Sequence, residues 1–321
     1  MRVKVLGAGI IGLSVADELL RRGHRVTVVD PAPGAGASYA AAGMLSPSAE
    51  LWHHEEALLG LGRRSLALWG SYADRLGVPV RTDGTLLVGY DAGDRQQVAR
   101  QVALVEKHGG RVERCADGSA VLPDEASTDP RAVVTALLGR VPVVPVDSAG
   151  DHDATVLATG ATLPSPYASL VRGVRGEILR LRSDDPPART LRGWVHGDAV
   201  YVVPRHRGEV VVGATSEEHD APPVVTAGGV RRLLTAARAL WPALDRAELV
   251  EATARDRPCT PDNLPLVGPA VEAADGVVLA AGHYRHGVLL APLTAYLVAD
   301  HLETGVVDPV LDPRRFTGGD R

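Results

Sequence analysis

The spacing of apolar residues changes along the chain, and each change marks an element. Val3 to Leu6 is a short apolar run with the character of a buried parallel strand. Leu13, Ala16, Leu19 and Leu20 then recur at helical spacing as far as Arg22, and Gly23 closes the helix. Arg25 to Val29 makes a second strand, ended by Asp30. Together they form a strand–helix–strand unit of about 30 residues, the smallest half of a dinucleotide-binding fold. Further on, the pattern predicts helices over Glu55–Leu76, Asp94–His108, Ala132–Leu138, Gly229–Leu240 and Leu289–Thr304. It predicts strands over Arg81–Gly89, Ala154–Gly160 and Val277–Ala281. Between Gly173 and Gly213 the period shortens to two, as in Gly176–Leu181, Val200–Pro204 and Glu209–Gly213, which predicts antiparallel strands of a separate sheet. Residues 34–47 are small and flexible in composition, and the polar tail beyond Asp308 is expected to fray.

Nucleotide-binding elements therefore stand at both ends of the chain with an antiparallel sheet between them. The expected fold class is α/β (α+β): a Rossmann-like dinucleotide-binding domain with an inserted antiparallel-sheet substrate domain. The expected division is discontinuous, with 1–78, 130–172 and 255–321 in the cofactor domain and 79–129 and 173–254 in the substrate domain. A chain of 321 residues is long enough for two such cores.

Composition narrows the function. The apolar fraction of 45% and net charge of −5 are those of an ordinary globular protein and give no reason to expect nucleic-acid binding. No stretch approaches the roughly 20 apolar residues of a membrane helix. The first residues run straight into a strand rather than an apolar leader, so a cytoplasmic protein is expected. The only lysines are Lys4 and Lys107, so a substrate carboxylate would meet an arginine. Cys115 and Cys259 have no metal-ligand spacing and are expected to be free thiols.

Gly7, Gly9 and Gly12 fit G-x-G-x-x-G. The first permits a tight turn, the second lets the backbone approach a pyrophosphate, and the third allows close helix–strand packing. The helix opening at Ile10 and Ile11 offers N–H groups and a positive dipole end. Asp30, at the end of the second strand, is placed for ribose hydroxyls and argues against a 2′-phosphate. This fingerprint leaves FAD and NAD both open. The segment ASYAAAGML at 37–45 adds a hydroxyl, Ser38, suited to a phosphate. Its small residues Ala41, Ala42 and Gly43 would let backbone pass close to a planar ring. Gly160 supplies the tight turn out of the strand that begins at Ala154.

With these segments in view, the chain resembles the glycine oxidase family of thiamine biosynthesis, within the wider D-amino acid and sarcosine oxidase group. The resemblance is carried by GAGIIG at 7–12, ASYAAAGML at 37–45, YVVPR at 201–205, VVGAT at 211–215, RPCTPDNLPLVGP at 257–269 and AAGHYRHGVLLAP at 280–292. It implies noncovalent FAD between the two domains. It also implies transfer of a hydride from an amino acid α-carbon to flavin N5, with O2 reduced to H2O2. A small amino acid or secondary amine would be the substrate, and homo-oligomers are admitted without any interface signature in the sequence.

By the same resemblance Arg257 clamps the substrate carboxylate and borders the cofactor, and Tyr201 contacts that carboxylate. Arg285 stands at the flavin edge near the substrate amine. Met44 lies near the ring, and His283, His286, Gly287, Val288 and Leu289 form the turn and helix start against it. Val143 or Val144 reaches the adenine through its backbone. Arg255, two positions from Arg257, is the alternative clamp. Cys259 is out of register with the flavin-linked cysteine of sarcosine oxidases, which falls at Arg255. The chain departs from the family at Ala199, where a histidine is expected, and at Ser216, where a methionine can occur. Both changes open room for a substrate bulkier than glycine. A dehydrogenase with another electron acceptor and a flavin-binding protein without turnover remain as alternatives.

Overall fold

A computed structural model of the chain describes residues 1–146, 150–219, 221–270 and 276–316. Its first layer is a six-stranded sheet in the order Leu266–Pro269, Val277–Ala281, Ala154–Leu157, Arg2–Leu6, Arg25–Val29 and Val143–Val144. All neighbours are parallel except the first pair. Such a sheet needs cover on both faces. Helices Ile10–Arg21 and Glu56–Leu76 pack on the last long helix, Gly287–Thr304, which has few polar positions and is buried over most of its first half. Leu13, Leu19, Val5, Val156, Trp69 and Val298 meet in this core. The carbonyl of Leu289 accepts hydrogen bonds from Ser65 Oγ at 2.6 Å and Trp69 Nε1 at 2.9 Å, which fixes the two helices against each other.

The second layer is an eight-stranded sheet in the order Glu248–Cys259, Arg172–Arg182, Glu209–Gly213, Asp198–Pro204, Thr190–Val195, Thr85–Gly89, Ala120–Leu122 and Glu113–Arg114. Its pairs are antiparallel apart from Thr190–Val195 with Thr85–Gly89. Helix Ala227–Leu240 covers one face through Leu179, Leu181 and Val212. Ala40 and Ala42 cover part of the other through Ile178, Val203 and Val211. Strand Arg172–Arg182 is consequently buried on both faces, although its sequence alternates.

Several elements differ from the sequence expectation. The strand expected over 81–89 is two, Val80–Arg81 and Thr85–Gly89, broken at Gly84, whose φ of +77° only glycine adopts without strain. Residues 34–47 are ordered: Ala37–Ala40 is a short helix and Met44–Leu45 a strand paired with Ala126–Thr128, because the small side chains pack rather than flex. The twelve-residue strand Glu248–Cys259 has no apolar period to announce it, since it lies at the sheet edge, and it runs past position 255. The tail does not fray at Asp308. Leu311 is buried, its carbonyl accepts the Val267 N–H at 2.9 Å, and Pro313–Phe316 is a 3-10 turn. Residues 317–321 lie outside the described residues. Among the described residues, no helix is long and apolar enough to cross a membrane.

Candidate active site

The glycine fingerprint is explained by what surrounds each residue. A side chain at Gly7 would strike the Ala158 carbonyl, and one at Gly12 would strike the Gly7 carbonyl. Gly7 also has a φ of +104°. By contrast, a methyl group added at Gly9 would meet only Ser38 Oγ, at 3.3 Å, and one at Gly160 would meet nothing. Those two positions leave backbone open to a ligand. Ser38 Oγ accepts the Ile10 N–H at 3.0 Å, so its hydroxyl sits at the start of helix Ile10–Arg21. The Asp30 carboxylate accepts N–H groups from Ala8 at 2.6 Å and Ala32 at 2.8 Å, tying the glycine turn to the end of the second strand.

From this turn one cavity of about 670 Å³ runs between the two large sheets. At its nucleotide end stand Gly7, Gly9, Ile10, Ile11, Asp30, Ser38 and Gly160. Along its middle are Ala41, Ala42, Gly43 and Met44 on one side, and His283, Arg285, His286, Gly287 and Val288 on the other. Arg257 and Tyr201 close the far end. Three predicted residues stand outside the wall. Gly12 acts through packing on Gly7, Leu289 turns its carbonyl to Ser65 and Trp69, and the Val144 carbonyl accepts the Asp30 N–H at 3.0 Å.

The far end is assembled by glycines. Arg257 projects over Gly176 on the neighbouring strand, where any β-carbon would overlap the guanidinium. Its Nη1 donates to the carbonyls of Arg175 at 3.3 Å and Thr215 at 3.2 Å. Tyr201 lies across Gly213, its partner in the adjacent strand, where a β-carbon would overlap the phenol ring. Burial pushes the Tyr201 hydroxyl above its usual pKa, with the Arg257 charge opposing, so the group stays protonated and can donate. Arg255 also lines the cavity but is engaged away from this end: it donates to Ala35 O at 2.8 Å and lies over Tyr39. Cys259 is buried and its thiol donates to Asn263 Oδ1 at 3.1 Å.

Ala199 and Ser216 line this end, as the sequence suggests, but so do residues it did not single out: Glu50, Trp52, Arg192, Gly176 and Ala214. The glycines Gly176 and Gly213 inside strands were the available signal, since glycine in a strand interior marks a close approach. Nothing in the pattern marked Glu50. Arg285 binds Glu55 at 2.7 Å and faces Glu50 at 3.5 Å.

The middle of the cavity suits a planar ring carried by an adenine dinucleotide. Burial pushes the pKa of His283 down to about 3 and of His286 down to about 4, so both are neutral at physiological pH. His283 pairs with Thr294 Oγ1 at 2.9 Å, but His286 Nε2 is buried with no partner. The helix that follows, Gly287–Thr304, has no side-chain cap, and its first residues face the cavity with the positive end of the dipole. A buried orphan nitrogen and an uncapped helix end are vacancies that a ligand with hydrogen-bonding ring edges satisfies.

Comparison with known proteins agrees with this geometry. The family described as FAD dependent oxidoreductase (DAO) matches residues 2–141 and 130–301. A Rhizobium etli protein named thiamine biosynthesis oxidoreductase ThiO is 37% identical over 95% of this chain and 97% of its own length. Glycine oxidase from Geobacillus kaustophilus is 31% identical over 94% of this chain and 92% of its own. Its crystal structure superposes with a TM-score of 0.86, covering 98% of this chain and 99% of that one. The chain also spans about half, 54%, of the bifunctional ThiO/ThiG protein of Trichormus variabilis, at 31% identity. With the dinucleotide turn, the ring-sized middle and the arginine-lined far end in one cavity, the chain belongs to the FAD dependent oxidoreductase (DAO) family and is an FAD-dependent amine oxidase of the ThiO/glycine oxidase kind.

Proposed function

We propose that the protein oxidises glycine or an N-substituted glycine to the corresponding imine, which water converts to a 2-oxo acid and an amine. The observation that carries this reading is the convergence of Arg257 and the protonated Tyr201 hydroxyl on the cavity end that adjoins the ring site. A planar guanidinium can bind both oxygens of an α-carboxylate, and a neutral phenol adds a donor. FAD, when bound, would supply the electron chemistry, as acceptor of a hydride from the α-carbon and donor of two electrons to O2 with H2O2 as the product.

The residues of the chain do the rest. Gly7, Gly9, Ile10 and Ser38 would hold the pyrophosphate and Asp30 the ribose. Ala41 to Met44 and His283 to Val288 would flank the ring, excluding water and fixing it against the substrate carboxylate. Neutral His286 can donate or accept at the ring edge without adding charge. Arg285, held by Glu55, would stand at the ring edge near the substrate nitrogen. The small Ala199 and Ser216 leave room for an N-substituent. The two cysteines are unpaired, in keeping with a reducing, cytoplasmic compartment. We propose the division at 1–78, 130–172 and 255–321 against 79–129 and 173–254 as the two functional halves, with the cavity between them.

The test is a peroxide-coupled screen of the FAD-loaded protein with glycine, sarcosine, N-ethylglycine and D-alanine. Peroxide release with a glycine-type amine is expected. Anaerobic bleaching of the flavin without peroxide in air would replace the oxidase with a dehydrogenase. No bleaching by any amine would leave a binding protein.

A further inference from the structure

The cavity wall carries an ion pair that carboxylate binding by Arg257 does not use. Arg192 and Glu50 are both buried, at 7% exposure each, and Arg192 Nε lies 2.9 Å from Glu50 Oε1. Arg192 stands directly across the strand pair from Tyr201, and cross-strand neighbours share a face, so both side chains look into the same chamber. The second Glu50 oxygen faces Arg285, which also binds Glu55.

The balance of charge in this chamber is informative. At this end three guanidinium groups, Arg192, Arg257 and Arg285, face two carboxylates, Glu50 on the wall and Glu55 behind Arg285, while Arg255, also on the cavity wall, is engaged away from it by Ala35 and Tyr39. Burial alone would push Glu50 toward its neutral form, but the Arg192, Arg285 and Arg257 charges outweigh it and hold the carboxyl below its usual range, so it is ionised. His283 and His286 are neutral, and Asp256 is taken up by Arg175 at 2.6 Å. One positive charge is left over. It belongs to Arg257, whose hydrogen-bond partners are the carbonyls of Arg175 and Thr215 and the neutral Tyr201 hydroxyl. The chamber can therefore neutralise one substrate carboxylate. A second would lie against Glu50 with no cation to receive it, because Arg192 is already matched.

We propose that Glu50 is a specificity-determining residue: by neutralising Arg192 it restricts the chamber to amino acids with a single carboxylate and an uncharged N-substituent. This deepens, and rests on, the glycine-type substrate proposed above. Removing the Glu50 charge exposes Arg192 as a second anion receptor and turns the chamber toward secondary amines bearing two carboxylates.

The experiment uses ligands that cannot be oxidised to an imine, so binding is read apart from turnover. Methoxyacetate carries one carboxylate and diglycolate two, on the same ether backbone. Their Kd values are measured on the FAD-loaded protein from the perturbation of flavin absorption. The parent is expected to bind methoxyacetate more tightly by about tenfold or more, and Glu50→Gln to reverse the preference. Adding Arg192→Gln to Glu50→Gln restores one net positive charge and should restore the preference for methoxyacetate. A purely structural role for Glu50 would not produce that restoration. If Glu50→Gln fails to hold FAD, Arg192→Met is read instead, and its ratio should move further toward methoxyacetate. A ratio unchanged by Glu50→Gln, or by Arg192→Met where that variant is the one read, overturns the proposal. An inverted ratio in a protein that oxidises no amine would overturn the oxidase reading and leave this one standing.

Discussion

At the scale of single residues, the site depends on two absences as much as on its side chains. Arg257 can reach the cavity end because Gly176 has no β-carbon, and Tyr201 lies flat because Gly213 has none. Replacing Arg257 with alanine removes the proposed carboxylate partner. KM for a glycine-type amine should rise by the equivalent of about 2–5 kcal/mol, with the flavin spectrum retained. An unchanged KM would move the clamp to Arg255. Gly176→Ala makes a sharper test, since it leaves every charged group in place and only displaces the guanidinium. It should raise KM by about tenfold or more, the effect of about 1.4 kcal/mol, without loss of FAD. Arg257 and Tyr201 were legible from their motifs, and Gly176 and Gly213 were legible in principle as strand glycines. Glu50 and Arg192 were not, because a carboxylate six residues before a helix and an arginine in an unmarked strand have no relation until the chain folds.

At the scale of elements, the segment from Met44 to Glu50 is held in place by Glu125. Its Oε1 accepts the N–H groups of Ser48 at 2.8 Å and Ala49 at 3.2 Å, next to the strand pair Met44–Leu45 with Ala126–Thr128. Burial pushes the Glu125 carboxyl from 4.5 up to about 7, with hydrogen bonds from Ser46, Ser48 and Ala49 opposing and the Glu50 charge adding. The sign follows from linkage. Below pH 4.5 the group is neutral in both folded and unfolded chains, and its contribution is full. As pH rises to about 7, the unfolded chain ionises while the folded chain does not, and stability is lost. The gap amounts to about 3 kcal/mol. Glu125→Gln keeps an acceptor without a titrating group. Urea unfolding should find it more stable than the parent at pH 8, with the difference shrinking toward pH 5. A difference independent of pH would show that Glu125 titrates normally. The long helix Gly287–Thr304 offers a second check. Trp69→Phe leaves the Leu289 carbonyl with Ser65 alone and should cost about 1 kcal/mol, read as a lower urea midpoint.

At the scale of the whole molecule, two sheets with separate cores face each other across the cavity. They are joined by ion pairs and by the packing of Ala40 and Ala42 on the second sheet. The clearest is Arg131, which donates to both Glu251 oxygens at 2.9 and 2.8 Å while its guanidinium lies 3.6 Å from the centre of the Tyr39 ring. A cofactor filling a cavity of about 670 Å³ between such halves acts as a structural part. Free FAD at a hundred times its Kd should raise the unfolding free energy by about 2.7 kcal/mol over the apoprotein, seen as a higher Tm that depends on FAD concentration. A Tm indifferent to FAD would mean that the halves are already locked without it.

The sequence by itself determined the parts whose causes are local. Gly7 and Gly12 specify a turn that a β-carbon would block, with Gly9 and Asp30 beside it, and periods of 3.6 and 2 place the main helices and most strands. The motif segments at 37–45, 201–205, 257–269 and 280–292 carried the family. The tertiary structure decided what depends on juxtaposition. It broke the strand at Gly84, ordered residues 34–47 by packing Ala40 and Ala42 against the second sheet, and extended an unpatterned edge strand to Cys259. It also set Glu50 against Arg192, 142 positions away in the chain, through a contact at 2.9 Å. Backbone preference is written residue by residue, whereas the balance of charge in a buried chamber exists only once distant strands share a face.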